Sequence, residues 1–330
     1  MSDAGPDVIV LAAGQGTRMR SRRPKVLHLA AGRPLLEHVL RAARAVEPAS
    51  VTVVVGHKAA EVRARFAGAG AAFVEQMRQR GTGDAVASCA DVLGRRAGPF
   101  VVLSGDGPLL TGETLRRLVE AHRAAGGDGM TLLTYEVDDP TGLGRVVRAP
   151  DGCVRAIVEE RDADEATRAL REVNPGTYVF DARLWGLLAG LDDDNAAGEL
   201  YLTDLVAAYR AAGAPVRAER GDDETRLLVG VNDRVQLSVA DRLLRDRVRR
   251  RWLAAGVTMT DPVSVFLDDD VTLGSDVTLE PGVVLAEGTR VGEGAWVGAY
   301  AHLSGCLVDA GARVAPHTVA TGRTFGRTDA

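Results

Sequence analysis

Apolar residues fall along this chain in three rhythms. From Val8 onward, short apolar runs (VIVLAA, VTVVVG, PFVVLSG, GMTLLTYEV and GTYVF) alternate with helical stretches such as PLLEHVLRAARAV and TLRRLVEAHRAAG. A strand that is apolar at every position is covered on both faces. The alternation therefore predicts a Rossmann-like, mostly parallel α/β sheet layered between helices over residues 1–231. Ligands of such sheets sit beyond the carboxyl ends of the strands.

The rhythm changes over residues 232–256, where Val235, Val239, Leu243 and Trp252 recur near helical spacing. One long amphipathic linker helix is expected there. The basic cluster Arg245–Arg251 reads as its solvated face rather than as a phosphate site. Residues 257–330 form the third section, in which a period of six appears from Val265 onward: Leu267, Leu273, Leu279, Leu285, Val291, Val297 and Leu303 lie six apart. Smaller or β-branched residues (Val271, Val277, Val283, Thr289, Ala295 and Ala301) stand two places before the six from Leu273 onward. A hexapeptide repeat marks a left-handed parallel β-helix, in which three hexads close one coil. About three coils are expected. The register slips by one near Cys306 and resumes at Val308 and Val314, and the tail GRTFGRTDA reads as frayed.

Composition narrows the function. Hydrophobic residues make up 46% and charged residues 26% of 330, which suits a packed core. The net charge is −5 and no basic stripe stands out, which argues against a nucleic-acid partner. The three cysteines, Cys89, Cys153 and Cys306, form no CxxC pair. Neither a zinc site nor a disulfide framework is expected, in keeping with a reducing cytoplasm. MSDAGPDVIV lacks the basic and apolar regions of a signal peptide. No apolar run reaches the roughly 18 residues of a membrane span, so no membrane association is expected.

The candidate chemistry begins after the first strand, in GQGTRMRSRRPK. Glycines let backbone N–H groups approach an anion, and Arg18 and Lys25 add positive charge, so a polyphosphate is the natural cargo. Two phosphate motifs fail. A GxGxxG fingerprint would need glycine where Met19 stands, and VTVVVG is followed by His57 rather than by an acid for a ribose. A Walker A motif, GxxxxGK[ST], is absent.

LAAGQGTRMRS…PKVLH resembles the signature of sugar-1-phosphate nucleotidyltransferases. The likeness is greatest to the bacterial N-acetylglucosamine-1-phosphate uridyltransferases, usually the front half of a bifunctional enzyme. QMRQRGTGDA, LSGDGPLL, DDPTGLGRVVR, IVEERDA, VNPGTYVF, DNAAGELYLTD and GVNDRVQL follow in the family's order. The resemblance implies transfer of uridylyl from UTP to N-acetylglucosamine-1-phosphate, with Mg²⁺ as cofactor and pyrophosphate as leaving group.

It also implies residue roles. Arg18 and Lys25 match the phosphate-contacting pair, and Asp106 and Asn232 match the metal ligands. An aspartate and an amide oxygen, completed by phosphates and waters, suit octahedral Mg²⁺. Read alone, Asn232 would cap the linker helix. Gln76 matches the residue that reads uracil, in a pocket completed by Ala13, Gly14, Gly16, Gly81 and Thr82. Its amide offers a donor and an acceptor to the base, and a flipped amide would suit cytosine instead. Gly144, Glu159 and Asn174 match sugar-binding positions, and Tyr201 and Thr203 border the sugar phosphate.

Three departures lie near these pockets: Asp84 for a frequent histidine, Gly107 for a bulkier residue, and Pro175 after Asn174. They leave open another sugar- or cyclitol-1-phosphate, or another NTP. A non-catalytic nucleotide-sugar sensor or scaffold is the alternative of a different class. The acetyltransferase half of the family needs many more coils, so no acetyl transfer is expected. Family β-helices assemble as trimers, so a homotrimer is the expected assembly.

Overall fold

The structure is a computed structural model that describes residues 5–221 and 230–327. Internal contacts divide the chain into two units: Met1–His28 with Leu35–Gln236, and Leu29–Pro34 with Leu237–Ala330.

In the first unit the strands Ala72–Glu75, Ser50–Val55, Asp7–Ala12 and Phe100–Ser104 lie side by side and parallel. Their apolar runs are explained by burial on both faces. Val8, Val10 and Ala12 pack with Val39, Leu115 and Leu118 on one side, while Ile9 packs with Val86, Leu184 and Val206 on the other. Alternate side chains of a strand point to opposite faces, so two helical layers demand an unbroken apolar strand. The helix Leu35–Arg44 buries Leu35, Leu36, Val39, Leu40 and Ala43, the spacing of a single helical face. The helix Gly112–Ala124 is capped by Thr111, whose hydroxyl accepts from the Thr114 N–H at 3.1 Å.

The sheet is mixed rather than parallel beyond Phe100–Ser104. GTYVF forms the strand Tyr178–Phe180, antiparallel to both Phe100–Ser104 and Met130–Glu136. Continuous apolarity reports burial on both faces and says nothing about strand direction. The strands Glu172–Asn174, Gly144–Arg148 and Val154–Val158 extend the sheet as an antiparallel ribbon. Val216–Arg220 pairs parallel with Met130–Glu136. Among the described residues, no helix is long and apolar enough to cross a membrane.

The linker helix spans Arg234–Ala254. Its buried residues are Ala240, Leu244, Val248 and Arg249, whereas the expected Val235 is 74% exposed. The covered stripe therefore lies about one position away from the expected Val239 and Leu243. A small alanine and a paired arginine share it, and an aliphatic count does not register either. Arg249 donates to the Val265 carbonyl at 3.0 Å and pairs with Asp246. Arg245 pairs with Asp241 and Asp268. These two arginines are thus structural, not part of a solvated face. Asp233, not Asn232, caps the helix: its Oδ1 accepts from the Gln236 N–H at 2.8 Å.

The hexapeptide region is a left-handed parallel β-helix of three parallel sheets, each of four strands. The hexad aliphatics from Leu267 to Leu303 are buried, as are Val271, Val277, Val283, Thr289, Ala295 and Ala301. Gly274 is required because a Cβ there would lie 2.5 Å from the backbone nitrogen of Glu293 in the next coil. Pairing is offset by eighteen residues in Thr272↔Arg290 and by seventeen in Arg290↔Leu307, which is the slip seen in the sequence. Thr289 absorbs it. Its buried hydroxyl accepts from the Cys306 N–H at 3.2 Å and donates to the Ala286 carbonyl at 2.7 Å, with the Leu303 carbonyl 3.1 Å away. The coils start earlier and end later than the repeat suggests. Thr258–Met259 is already a strand, and Thr324–Phe325 pairs with Leu307–Val308 and buries Phe325. The tail is ordered through that strand because its one aromatic closes the prism.

Candidate active site

The loop after Asp7–Ala12, the segment after Phe100–Ser104 and the segment after Ala72–Glu75 all leave the carboxyl ends of parallel strands. They bound a cleft of about 530 Å³ lined by Ala13, Gly14, Gly16, Lys25, Gln76, Gly81, Thr82 and Asp106, with Gln79, Ser104 and Glu199 among the others. The backbone of the opening loop takes a left-handed turn at Gly16 (φ 62°) and packs there against Lys25. A Cβ on Gly16 would lie 2.7 Å from the Lys25 Cβ, so only glycine lets the lysine stem cross the loop.

Lys25 is the centre of the polar floor. Its Nζ donates to Asp106 Oδ2 and, at 3.2 Å, to Asn232 Oδ1. The chain ahead of the linker helix is held there by the Val231 N–H, which donates to the Asp106 carbonyl at 2.9 Å. Two oxygens from distant parts of the sequence thus face one cationic atom. This is a donor set that a hard divalent cation accepts, and Mg²⁺ is characteristically bound by one or two protein oxygens plus phosphates and water. Among the described residues, no group of three or more His, Cys, Asp and Glu side chains could hold a metal unaided.

Gln76 is 5% exposed and its amide nitrogen is fully engaged. Nε2 donates to the Gly81 carbonyl at 3.1 Å and to Asp84 Oδ2 at 2.8 Å, while Arg80 donates to Asp84 Oδ1 at 2.9 Å. Gln79 was not singled out in the sequence. Its Nε2 donates to the Ala13 carbonyl at 2.8 Å, fixing the start of the glycine loop. The only hint was its place three residues after Gln76 in the same polar stretch.

The expected sugar residues also converge. Asn174 and Gly144 are register partners on neighbouring strands. A Cβ on Gly144 would lie 3.3 Å from Glu159 Oε1, so glycine keeps the approach to that carboxylate open. Asn174 Nδ2 donates to the Tyr178 hydroxyl at 2.5 Å, and Asn174 Oδ1 accepts from the Gly176 N–H at 3.0 Å. Thr203 donates to Glu159 Oε1 at 3.1 Å. The two groups are tied by one segment: the Leu202 N–H donates to Thr82 Oγ1 at 3.0 Å, and the Gly83 N–H donates to the Leu200 carbonyl at 2.8 Å. Arg18 stands apart, exposed and outside the cleft lining.

Burial pushes the Glu159 carboxyl above the ordinary glutamate range, helped by the negative charges of Asp204, Asp162 and Glu199 and opposed by the Thr203 hydrogen bond. Burial and the same neighbourhood raise the Tyr201 hydroxyl to about 12. The sign for Glu159 is that of a raised acid: the fold disfavours its ionised form, so it costs stability as pH rises through its folded value. A sugar hydroxyl, however, needs the ionised acceptor. On the sequence-based expectation that Glu159 receives a sugar hydroxyl, the KM for the sugar phosphate should rise as pH falls, beginning above the usual glutamate range. Glu159→Gln should remove that acid limb, raise KM about tenfold and raise the melting temperature at neutral pH. A pH series of KM alongside thermal melts checks both effects.

A parallel-stranded α/β domain with a glycine-loop cleft and a cation flanked by two oxygens has the form of a nucleoside-triphosphate transferase domain. The chain belongs to the family of the MobA-like NTP transferase domain, whose family model matches residues 8–209. It is 48% identical over 267 residues to the protein named bifunctional protein GlmU from Heliobacterium modesticaldum, covering 81% of this chain and 58% of that protein. It is 48% identical over 272 residues to the protein of the same name from Streptomyces avermitilis, covering 81% and 56%. The chain thus spans little more than half the length of these curated relatives. A solved structure from Bacillus anthracis, named provisionally as a glucose-1-phosphate thymidylyltransferase in complex with sucrose, shares the fold. Its TM-score is 0.59 at 22% identity, over 73% of this chain and 95% of that one.

Proposed function

We propose that this chain is a Mg²⁺-dependent sugar-1-phosphate nucleotidyltransferase that joins UTP to N-acetylglucosamine-1-phosphate and releases pyrophosphate. The observation that carries this reading is Lys25, held by Asp106 and Asn232 in the cleft that Gln76 and the glycine loop line. The phosphate oxygen of the sugar attacks the α-phosphorus of UTP, and the bond to pyrophosphate breaks. Negative charge crowds the transition state, so catalysis is chiefly positioning and neutralisation.

Asp106 and Asn232 would hold Mg²⁺, which when bound supplies charge neutralisation and a fixed geometry for the phosphates. Lys25 is a mobile point charge that can move from the carboxylate to the reacting phosphates. The backbone of Ala13, Gly14, Gly16 and Gly81, with Thr82, surrounds the nucleotide. Gly144, Glu159 and Asn174 receive the sugar, whose hydroxyls donate to the Glu159 carboxylate. Arg18 neutralises the leaving pyrophosphate from the exposed side of the loop.

Arg18→Ala separates this reading from that of a nucleotide-sugar sensor. Turnover is expected to fall about a hundredfold or more, the usual scale for removing one charge-stabilising group, while the melting temperature stays unchanged because the side chain is exposed. Pyrophosphate release across UTP, dTTP, CTP, GTP and ATP with several sugar-1-phosphates tests the substrates. Turnover confined to another pair would replace the ones proposed here.

Assembly through the β-helix belongs to the same reading. Phe266, Val284, His302 and Val319 stand in register along one outer face, with Phe266, His302 and Val319 exposed. Packing such faces gives a trimer, and sedimentation showing only monomer at micromolar concentration would remove it.

A further inference from the structure

We infer that Asp84 is a specificity-positioning residue, which locks the Gln76 amide so that only its carbonyl oxygen faces the base. Bases that carry N3–H are then selected over cytosine. The inference rests on the uridylyl reading above and concerns the base that the site accepts.

The argument turns on what can donate and what can only accept. An amide side chain rotated by half a turn exchanges a donor for an acceptor at nearly identical shape, so its orientation must come from its neighbours. Both neighbours of Gln76 Nε2 are acceptors: the Gly81 carbonyl at 3.1 Å and Asp84 Oδ2 at 2.8 Å. Turning the amide would set its oxygen against a carbonyl and a carboxylate at once. It would also strand those acceptors and the amide donors, and the side chain is 5% exposed. The other carboxylate oxygen is held by Arg80 at 2.9 Å, which fixes the aspartate in turn. Both Nε2 hydrogens are thereby used. Oε1 is left as the amide atom that can be offered to a ligand in the cleft that Gln76 lines.

An acceptor held in this way matches N3–H of uracil or thymine. Cytosine presents an unprotonated N3, so two lone pairs would face each other. A site built around a hydrogen bond rejects the analogue that lacks it far more strongly than a shape-only pocket does. An uncharged side chain at position 84 that can also donate would let the amide turn. The carboxylate cannot donate.

The test measures Mg²⁺-supported binding of UTP, CTP and 3-deaza-UTP, whose ring carries C–H in place of N3–H and a hydroxyl at O4. Calorimetry on the intact chain gives the affinities, and thermal melts confirm folding. The native chain should bind UTP at least about thirtyfold more tightly than either analogue. Asp84→Asn should narrow the UTP-to-CTP ratio about tenfold, chiefly by strengthening CTP. Arg80→Ala keeps the carboxylate but frees it, and should narrow the ratio less than Asp84→Asn does.

A folded Asp84→Asn chain that weakens UTP and CTP alike, with the ratio intact, would reduce Asp84 to a structural role and overturn the inference. So would equal binding of UTP and 3-deaza-UTP by the native chain, a measurement that does not depend on any variant folding. Failure of the native chain to bind UTP at all removes the nucleotide reading and this inference with it. That outcome is distinct from binding without discrimination.

Discussion

Replacing Asp106 with alanine is expected to lower kcat/KM for pyrophosphate release about a thousandfold, the upper scale for removing a group that organises charge neutralisation. Two effects add. The carboxylate is the charged member of the oxygen pair proposed to hold Mg²⁺, and it also positions the Lys25 ammonium. Without it, Lys25 keeps only the amide oxygen of Asn232. The fold should lose about 1–3 kcal/mol, because the pair is largely but not fully buried. Asp106→Asn keeps an oxygen without the charge. It should recover part of the activity at Mg²⁺ concentrations about tenfold higher than the native chain needs. Steady-state rates across a Mg²⁺ series, with melts of each variant, separate the two effects. A variant that keeps native kcat/KM would remove Asp106 from the mechanism.

Gly81→Ala should damage the proposed nucleotide and sugar sites together. Gly81 has φ 108° and ψ 179°, a region open essentially to glycine alone. A Cβ there would lie 2.5 Å from the Leu200 carbonyl oxygen and 2.9 Å from its nitrogen, both rigid backbone atoms. Strain and clash together are expected to cost about 2–4 kcal/mol. The displaced segment Glu199–Thr203 carries the Leu202 bond to Thr82 and the Thr203 bond to Glu159. KM for UTP and KM for the sugar phosphate should therefore both rise at least about tenfold, whereas Glu159→Gln should move only the second. An alanine variant with a native melting temperature and a native KM for both substrates would show that the segment does not couple the sites.

Much of this was legible in the sequence, for physical reasons that differ by element. The parallel strands announced themselves because burial on both faces leaves an unbroken apolar run, as in Asp7–Ala12. The β-helix was legible because each hexad must place an aliphatic in a narrow prism, and even its one-residue slip appeared as a phase change. The direction of Tyr178–Phe180 was not legible, since strand polarity leaves no mark on burial. The helix stripe was misplaced because Ala240 and Arg249 occupy it.

At the site, the glycine loop could be read from its own chemistry. The convergence of Asp106, Asn232 and Lys25 could not, because 81 and 207 residues separate Lys25 from its partners. Asp84 was visible only as a departure from a family pattern. What it does depends on the two acceptors that meet at one amide nitrogen, a fact of three-dimensional packing.

The most direct single measurement incubates the folded chain with UTP, N-acetylglucosamine-1-phosphate and Mg²⁺, and follows pyrophosphate and the nucleotide sugar by mass. One pyrophosphate is expected for each UDP-N-acetylglucosamine formed, with both abolished by a chelator. A chain that binds UTP but forms neither product from this pair would contradict the proposed reaction.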